Sequence, residues 1–241
     1  MKRIIEKTDD GSATLFVPEL DEHYHSTKGA RTESQHIFID MGLKASTAAS
    51  PHVLEIGFGT GLNAWLTLKE AESSNRKVHY TGLELYPLAW EVVEQLGYIP
   101  NGEQQDDASL FKQLHTSPWE EEIQLTPHFT LLKVETDANK LIVETDIHKS
   151  SVEDGKQGKI HCQLKFDVIY FDAFAPEKQP EMWSQELFNR LYVLLNNDGI
   201  LTTYCAKGII RRMLQAAGFI VERLPGPPGG KREILRARKL G

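Results

Sequence analysis

The sequence predicts an α/β protein whose mostly parallel sheet is covered by helices on both faces. Three observations predict it. From Pro51 onward, strand-like and helix-like segments alternate. A glycine-rich turn, "GFGTG", lies between the first of these strands and the helix after it. The last two strands follow each other directly across "PGPPGG", which predicts an antiparallel hairpin closing a sheet of seven strands.

Residues 1–50 read as an extension to a main domain spanning 51–241. "RIIEK" and "ATLFVP" alternate as short strands around the turn "TDDGS", and a polar connector then leads to a helix around residues 32–41. In the main domain, "HVLEIG" is a strand, "GLNAWLTLKEAES" a helix and "VHYTGLEL" a strand. "PLAWEVVEQLG" is a helix opened by Pro87 and stopped by Gly97, and "DASLFKQLH" is another. "HFTLLKV" and "KLIVETD" bracket the turn "ETDAN", the first as an extra strand and the second as the third main strand. "SVEDGKQGKIHCQ", residues 151–163, is expected to be a mobile surface loop. The alternation then resumes with strand "FDVIYFD", helix "SQELFNRLYVLLN", strand "GILTTYC", helix "AKGIIRRMLQAAG" and the strands "FIVERL" and "REILRAR". A parallel sheet ending in such a hairpin is the layout of Rossmann-like methyltransferases, whereas nicotinamide-binding domains continue the alternation.

Composition narrows the class. With 241 residues, 40% of them hydrophobic, the chain supports one substantial core. No apolar run approaches a membrane span, and the start turns polar too early for a signal peptide, so a cytoplasmic protein without membrane contact is expected. Cys162 and Cys205 are too few for a disulfide framework and too distant for a metal knuckle. His23 and His25 form a close pair without carboxylate or cysteine partners at a recognisable spacing, so no metal is expected. The net charge of -7 argues against nucleic acid, but it is unevenly spread. From residue 201 onward Lys207, Arg211, Arg212, Arg223, Lys231, Arg232, Arg236, Arg238 and Lys239 face only Glu222 and Glu233. That asymmetry suits an enzyme with one phosphate-facing surface or, equally, a solvated tail.

The chemistry concentrates at strand ends. Glu55, Gly57, Gly59, Gly61 and Asn63 lie in "EIGFGTGLN", where the spacing is G-x-G-x-G with an acid before the first glycine. A dinucleotide fingerprint would read G-x-G-x-x-G and place a pyrophosphate on the helix. The observed form suits a ligand without phosphate, such as S-adenosylmethionine, whose ammonium seeks acids and whose carboxylate seeks backbone amides. Glu84, ending the second strand, is positioned for ribose hydroxyls, and Asp146, ending "VETD", for an adenine amino group. Asp172 closes the apolar "VIYF", and a buried strand should not end on a carboxylate without a partner or a task. In methyltransferases of exocyclic amines the fourth strand ends in Asp or Asn, two prolines and an aromatic residue. "DAFAP" keeps the acid, Phe174 and Pro176 in altered order, which favours an amine acceptor.

These motifs resemble a known family. "GFGTGLN", "LELYPL", "YFDAFAPEKQPEMWSQELFNRL", "GILTTYCAKGIIRRMLQAAGF", "GGKREIL" and "EHYHSTKGARTESQHIFI" are similar to the methyltransferase domain of the bacterial tRNA enzymes that make 5-methylaminomethyl-2-thiouridine, the MnmC family. The resemblance implies methyl transfer from S-adenosyl-L-methionine to the 5-aminomethyl group of the wobble uridine, with the tRNA anticodon loop as partner. It implies a stand-alone methyltransferase lacking the flavin-dependent oxidase of larger members, hence no flavin. Asp172 would serve the amine and Phe174 and Pro176 the uridine ring. Lys178, Lys207, Arg211, Arg212, Lys231 and Arg232 would contact phosphates. The rival expectations are an aminopropyltransferase on the same sheet and a catalytically inactive RNA-binding module.

Overall fold

A computed structural model describes residues 2–99, 105–141 and 165–241. The predicted N-terminal hairpin forms from β1 (Ile4–Lys7) and β2 (Ala13–Val17), and a short β3 (Glu22–His23) makes it a three-stranded antiparallel sheet. The helix expected around 32–41 divides into α1 (Ala30–Ser34) and a π-helical segment, Gln35–Asp40. That segment buries Ile37, Phe38 and Ile39, and the Phe38 ring lies 5.1 Å from that of Tyr170. Residues ahead of the main sheet therefore supply part of its core.

The main sheet contains β4 (His52–Ile56), β5 (Val78–Glu84), β6 (Glu122–Thr126), β7 (Phe129–Glu135), β8 (Phe166–Phe171), β9 (Leu195–Thr203), β10 (Ile220–Pro225) and β11 (Glu233–Arg238). Their order is β10-β11-β9-β8-β4-β5-β7-β6. The pairs across β9-β8-β4-β5-β7 are parallel, and β6 and β11 run antiparallel to their neighbours. Among the described residues the sheet has eight strands, and β6 at its edge is the one beyond the expected seven. The predicted C-terminal hairpin is present, with β11 inserted between β10 and β9.

Helices cover both faces. α2 (Leu62–Ser74) packs with the π-helical segment on one face, and α5 (Gln185–Leu194) and α6 (Gly208–Ala216) on the other. Side chains alternate across a strand, so Val53 of β4 enters the α2-side core while Leu54 and Ile56 enter the α5-side core. Ser184 caps α5 by accepting the Leu187 amide, as its position before an apolar helix suggests. The helix opened by Pro87 is shorter than expected: α3 (Trp90–Val93) passes into a 3-10 turn, Glu94–Leu96, ended at Gly97 in the left-handed conformation. α4 (Gln105–Thr116) follows.

One assignment shifts. "HFTLLKV", expected as an extra strand, is the third parallel strand β7, and the extra strand is the more polar β6, joined to it through Pro127. "KLIVETD" begins in a 3-10 turn, Ala138–Lys140, and its remainder from residue 142 lies outside the described residues, as do Asp146, Cys162 and the loop expected at 151–163. The third strand ends at Glu135, so Asp146 cannot mark that strand end.

Phe38→Ala should destabilise the protein by about 3–5 kcal/mol, the cost of emptying a large core site. Urea denaturation followed by circular dichroism checks it. A change under about 1 kcal/mol would show that the N-terminal segment is not part of the main core.

Candidate active site

The parallel register brings three acids to neighbouring strand ends on one face. Glu55 pairs in register with Gly82 of β5 and Tyr170 of β8, and Glu84 and Asp172 share the parity of those two partners. All three belong to the face covered by α2. They differ sharply in environment.

Glu55 is fully buried and does not line the cleft. Its Oε1 accepts Asn63 Nδ2 at 2.8 Å and its Oε2 accepts the Tyr80 hydroxyl at 2.7 Å. Burial pushes its pKa well above the usual carboxylate range, against the two hydrogen bonds and with the charges of Asp172 and Glu84. The expectation that Glu55 faces a cofactor ammonium is thereby corrected: its oxygens are committed to the core, one layer behind Asn63.

Asn63, the second residue of α2, carries the arrangement forward. Its Nδ2 also donates to Asp172 Oδ2 at 2.8 Å, so one amide group joins two carboxyls. Asp172 borders the cleft, hemmed in by β4 and the turn after β8. Its own amide donates to Ile56 O at 3.1 Å. Burial raises its pKa to about 7; the Asn63 bond and Lys231 oppose the rise and the Glu33 charge adds to it. The turn that follows is fixed by two side chains: Tyr204 Oη donates to Ala173 O at 2.9 Å, and Trp183 Nε1 donates to Phe174 O at 2.7 Å.

Glu84 closes β5 and holds the glycine-rich turn. Its Oε2 accepts the Gly59 amide and its Oε1 the Tyr86 amide, both at 2.9 Å. Gly57, at φ +92°, lies so close to β8 that a Cβ would meet Asp172 O at 3.0 Å. Gly61, at φ +70°, starts α2, and its missing Cβ makes room for His115, whose Nε2 would be only 2.6 Å away. Gly57 and Gly59 line the cleft, whereas Gly61 serves packing beside it.

The cleft encloses about 900 Å3. Phe174 and Pro176 form one wall, and Tyr24 from the N-terminal segment meets the Phe174 ring edge-to-face at 5.0 Å. Arg3, Tyr24, His25 and Glu33 also line it. Three of them lie in "EHYHSTKGARTESQHIFI", which shares the family resemblance, but sequence reasoning gave them no role, because nothing in the local pattern signals that the first 35 residues fold over the strand ends. Both His23 and His25 line the cleft; burial lowers the pKa of His25 to about 4, and His23 pairs with Glu6 at 2.9 Å. Among the described residues no group of three or more His, Cys, Asp and Glu could hold a metal ion, and no helix is long and apolar enough to cross a membrane.

The expected phosphate contacts separate. Lys178, Lys207, Lys231 and Arg232 line the cleft, and Arg211 and Arg212, on α6, do not. Lys178 pairs with Asp21 at 3.2 Å, Lys207 with Glu177, and Lys231 with Glu33 at 2.6 Å. Arg223 pairs with Glu233, and Arg236 and Arg238 share Glu222, so the two carboxylates of the hairpin are taken up by arginines of the hairpin itself.

A family of S-adenosyl-L-methionine-dependent methyltransferases matches residues 111–240. The chain belongs to that family. It is 29% identical to the "tRNA 5-methylaminomethyl-2-thiouridine biosynthesis bifunctional protein MnmC" of Azoarcus sp. (strain BH72), over 97% of this chain and 35% of that protein. The protein of the same name from Cupriavidus metallidurans is also 29% identical, over 99% of this chain and 35% of its own length. The chain thus spans about a third of the curated relatives it matches. The crystal structure of MNMC2 from Aquifex aeolicus aligns with a TM-score of 0.75 and 25% identity over 98% of this chain and 70% of that one.

The methyltransferase cleft fits its cofactor on structural grounds. Asn63 lines the cleft, and its buried Oδ1 has no hydrogen-bond partner among the described residues, which suits a ligand ammonium. Glu84 offers acceptor oxygens beside the exposed Leu85 and Tyr86, a polar and apolar pairing that suits a ribose and an adenine face. Asp137, just past the end of β7, lines the same region.

The Asp172 pKa has a consequence for stability. Folding raises it from 3.8 to about 7, so the folded form binds the extra proton and loses stability as pH rises through that window. Asp172→Asn should therefore gain in melting temperature over wild type as pH rises from about 4 to 7, with a constant gap above. Calorimetry across that range checks it. A gap that does not depend on pH would contradict the shifted pKa.

Proposed function

We propose that the protein transfers the methyl group of S-adenosyl-L-methionine to the primary amine of 5-aminomethyl-(2-thio)uridine at the tRNA wobble position. The observation that carries this reading is Asp172, a carboxyl with a pKa of about 7, held by Asn63 at the cleft in the turn "DAFAP". The kinship with MnmC along nearly the whole chain supports the choice of tRNA. The family match favours neither aminopropyl transfer nor an inactive RNA-binding module.

Glu84 would accept the ribose hydroxyls, Gly57 and Gly59 would line the amino-acid end and Asn63 Oδ1 would take its ammonium. Asp137 replaces Asp146 as the residue proposed for the adenine edge. The bound cofactor supplies an electrophilic methyl on a sulfonium, and the proposed step needs no flavin and no metal.

The harder requirement is a neutral nucleophile. An alkyl amine with a pKa near 10.4 is neutral in about one molecule in two thousand at pH 7, a cost of roughly 4–5 kcal/mol. An ionised Asp172 does not lower that cost, because it stabilises the ammonium form. Its part is to accept an N–H so that the lone pair faces the methyl, and to stabilise the positive charge that grows on nitrogen. The methylated ammonium then gives up its proton to Asp172 or to water. Only ionised Asp172 can stabilise that growing charge, so activity falls as pH drops through about 7.

Phe174, Pro176 and Tyr24 would form the wall for the extruded uridine ring, since loop bases are held by stacking. Lys178, Lys207, Arg211, Arg212 and Arg232 would contact phosphates of the anticodon loop. A cytoplasmic location follows from that substrate.

Nucleoside mass spectrometry after incubation with S-adenosylmethionine and tRNA bearing 5-aminomethyl-2-thiouridine tests the reading. Wild type should give 5-methylaminomethyl-2-thiouridine. Asp172→Ala should lower turnover by roughly 100-fold or more while cofactor affinity stays within about 3-fold. Unchanged tRNA with wild type, or loss of cofactor binding as large as the loss of turnover, would contradict it.

A further inference from the structure

Lys231 does not sit as a phosphate-binding lysine would. It follows the glycine-rich turn between β10 and β11, yet its Nζ lies 2.6 Å from Glu33 Oε1 and 4.5 Å from the centroid of the Tyr204 ring. Both partners are fixed. The Glu33 side chain is 10% exposed and its Oε2 accepts the Ser26 amide at 2.9 Å. Tyr204 is anchored by its bond to Ala173 O, one residue past Asp172. A buried carboxylate and an aromatic face thus enclose a primary ammonium in the same cleft as the proposed methyl acceptor site.

We propose that Glu33 and Tyr204 form the subsite that receives the acceptor's primary ammonium, and that Lys231 occupies it until the acceptor arrives. This rests on the reading above that the acceptor is a primary amine. The lysine head and an aminomethyl group present the same chemistry, an sp3 carbon bearing an ammonium, and a carboxylate beside an aromatic face binds both. Exchange of one ammonium for another leaves the charge of the subsite unchanged. A hydroxyl or methyl in the same place would leave Glu33 buried without a counter-ion, which is costly, so the subsite selects amines. Lys231 can leave because its side chain is 39% exposed and belongs to a surface turn, not to the core.

The test uses two anticodon stem-loops that differ only in the wobble base, one bearing 5-aminomethyluridine and one plain uridine. The ratio of their dissociation constants measures amine preference, and phosphate contacts cancel in it. Glu33→Gln should lower this ratio roughly 10-fold, the loss of one charged hydrogen bond, while Lys231→Met should raise it by removing the internal competitor. Cofactor binding by each variant reports folding. Should Glu33→Gln fail to bind the cofactor, Lys231→Met decides: a raised ratio supports the subsite, and an unchanged or lowered one overturns it. The same ratio in wild type and both variants would reduce the pair to a brace for the turn and overturn the inference. Wild type is also assayed for methylation of the aminomethyl loop. If it methylates the loop and the ratios do not respond, the subsite alone fails; if it does not methylate the loop, the acceptor reading fails and the subsite with it.

Discussion

One side-chain amide holds the proposed catalytic geometry together. Asn63 has two N–H groups, and it gives one to Glu55 and one to Asp172. Two carboxyls this close, one fully buried and one at the cleft, cannot ionise together cheaply, and a neutral donor between them lets the outer one carry the charge while burial disfavours it on the inner one. Much of the local backbone serves that placement. Gly61 starts α2 where its second residue faces both strand ends, and Gly57 lets the turn pass against β8 without a side chain in the way. Tyr80 completes the hydrogen bonding of Glu55 from the neighbouring strand.

The cleft around this amide is assembled from distant parts of the chain. Tyr24 and Glu33 come from the N-terminal segment, Asp172 and Phe174 from the turn after β8, and Lys231 from the last hairpin. The segment that carries Glu33 continues into the helix that buries Phe38 beneath the sheet. Acceptor recognition, as proposed, is therefore built on the same packing that completes the core. The hairpin supplies the complementary charge, and within it Glu222 and Glu233 pair with Arg223, Arg236 and Arg238.

The order of strands and helices was legible because hydrophobic periodicity and turn residues report local structure directly. Asp172 was legible too: a carboxylate that ends an apolar strand has few explanations. Glu55 was misplaced, because an acid two residues before a glycine turn looks alike in one dimension whether it faces the ligand or the core. Glu55 shares its face with Glu84 and Asp172, and its depth along the strand, where Tyr80 and Asn63 take up its oxygens, is what separates it from them. The third strand was misread because "KLIV" is as apolar as "TLLKV", while β6, an edge strand with exposed positions, carries a weak pattern. Tyr24, His25 and Glu33 reach the cleft through tertiary folding alone, and no spacing in the sequence announces it.

The central claim is that burial and the Asn63 amide set Asp172 as a carboxyl that titrates near neutrality. Carboxylate 13C NMR of protein labelled at aspartate, with the Asp172 signal assigned by its loss in Asp172→Asn, measures this directly. The account predicts a midpoint near 7, moving higher in Asn63→Ala as the bond that favours the ionised form is removed. A midpoint near the ordinary value of 3.8, unmoved by Asn63→Ala, would contradict it.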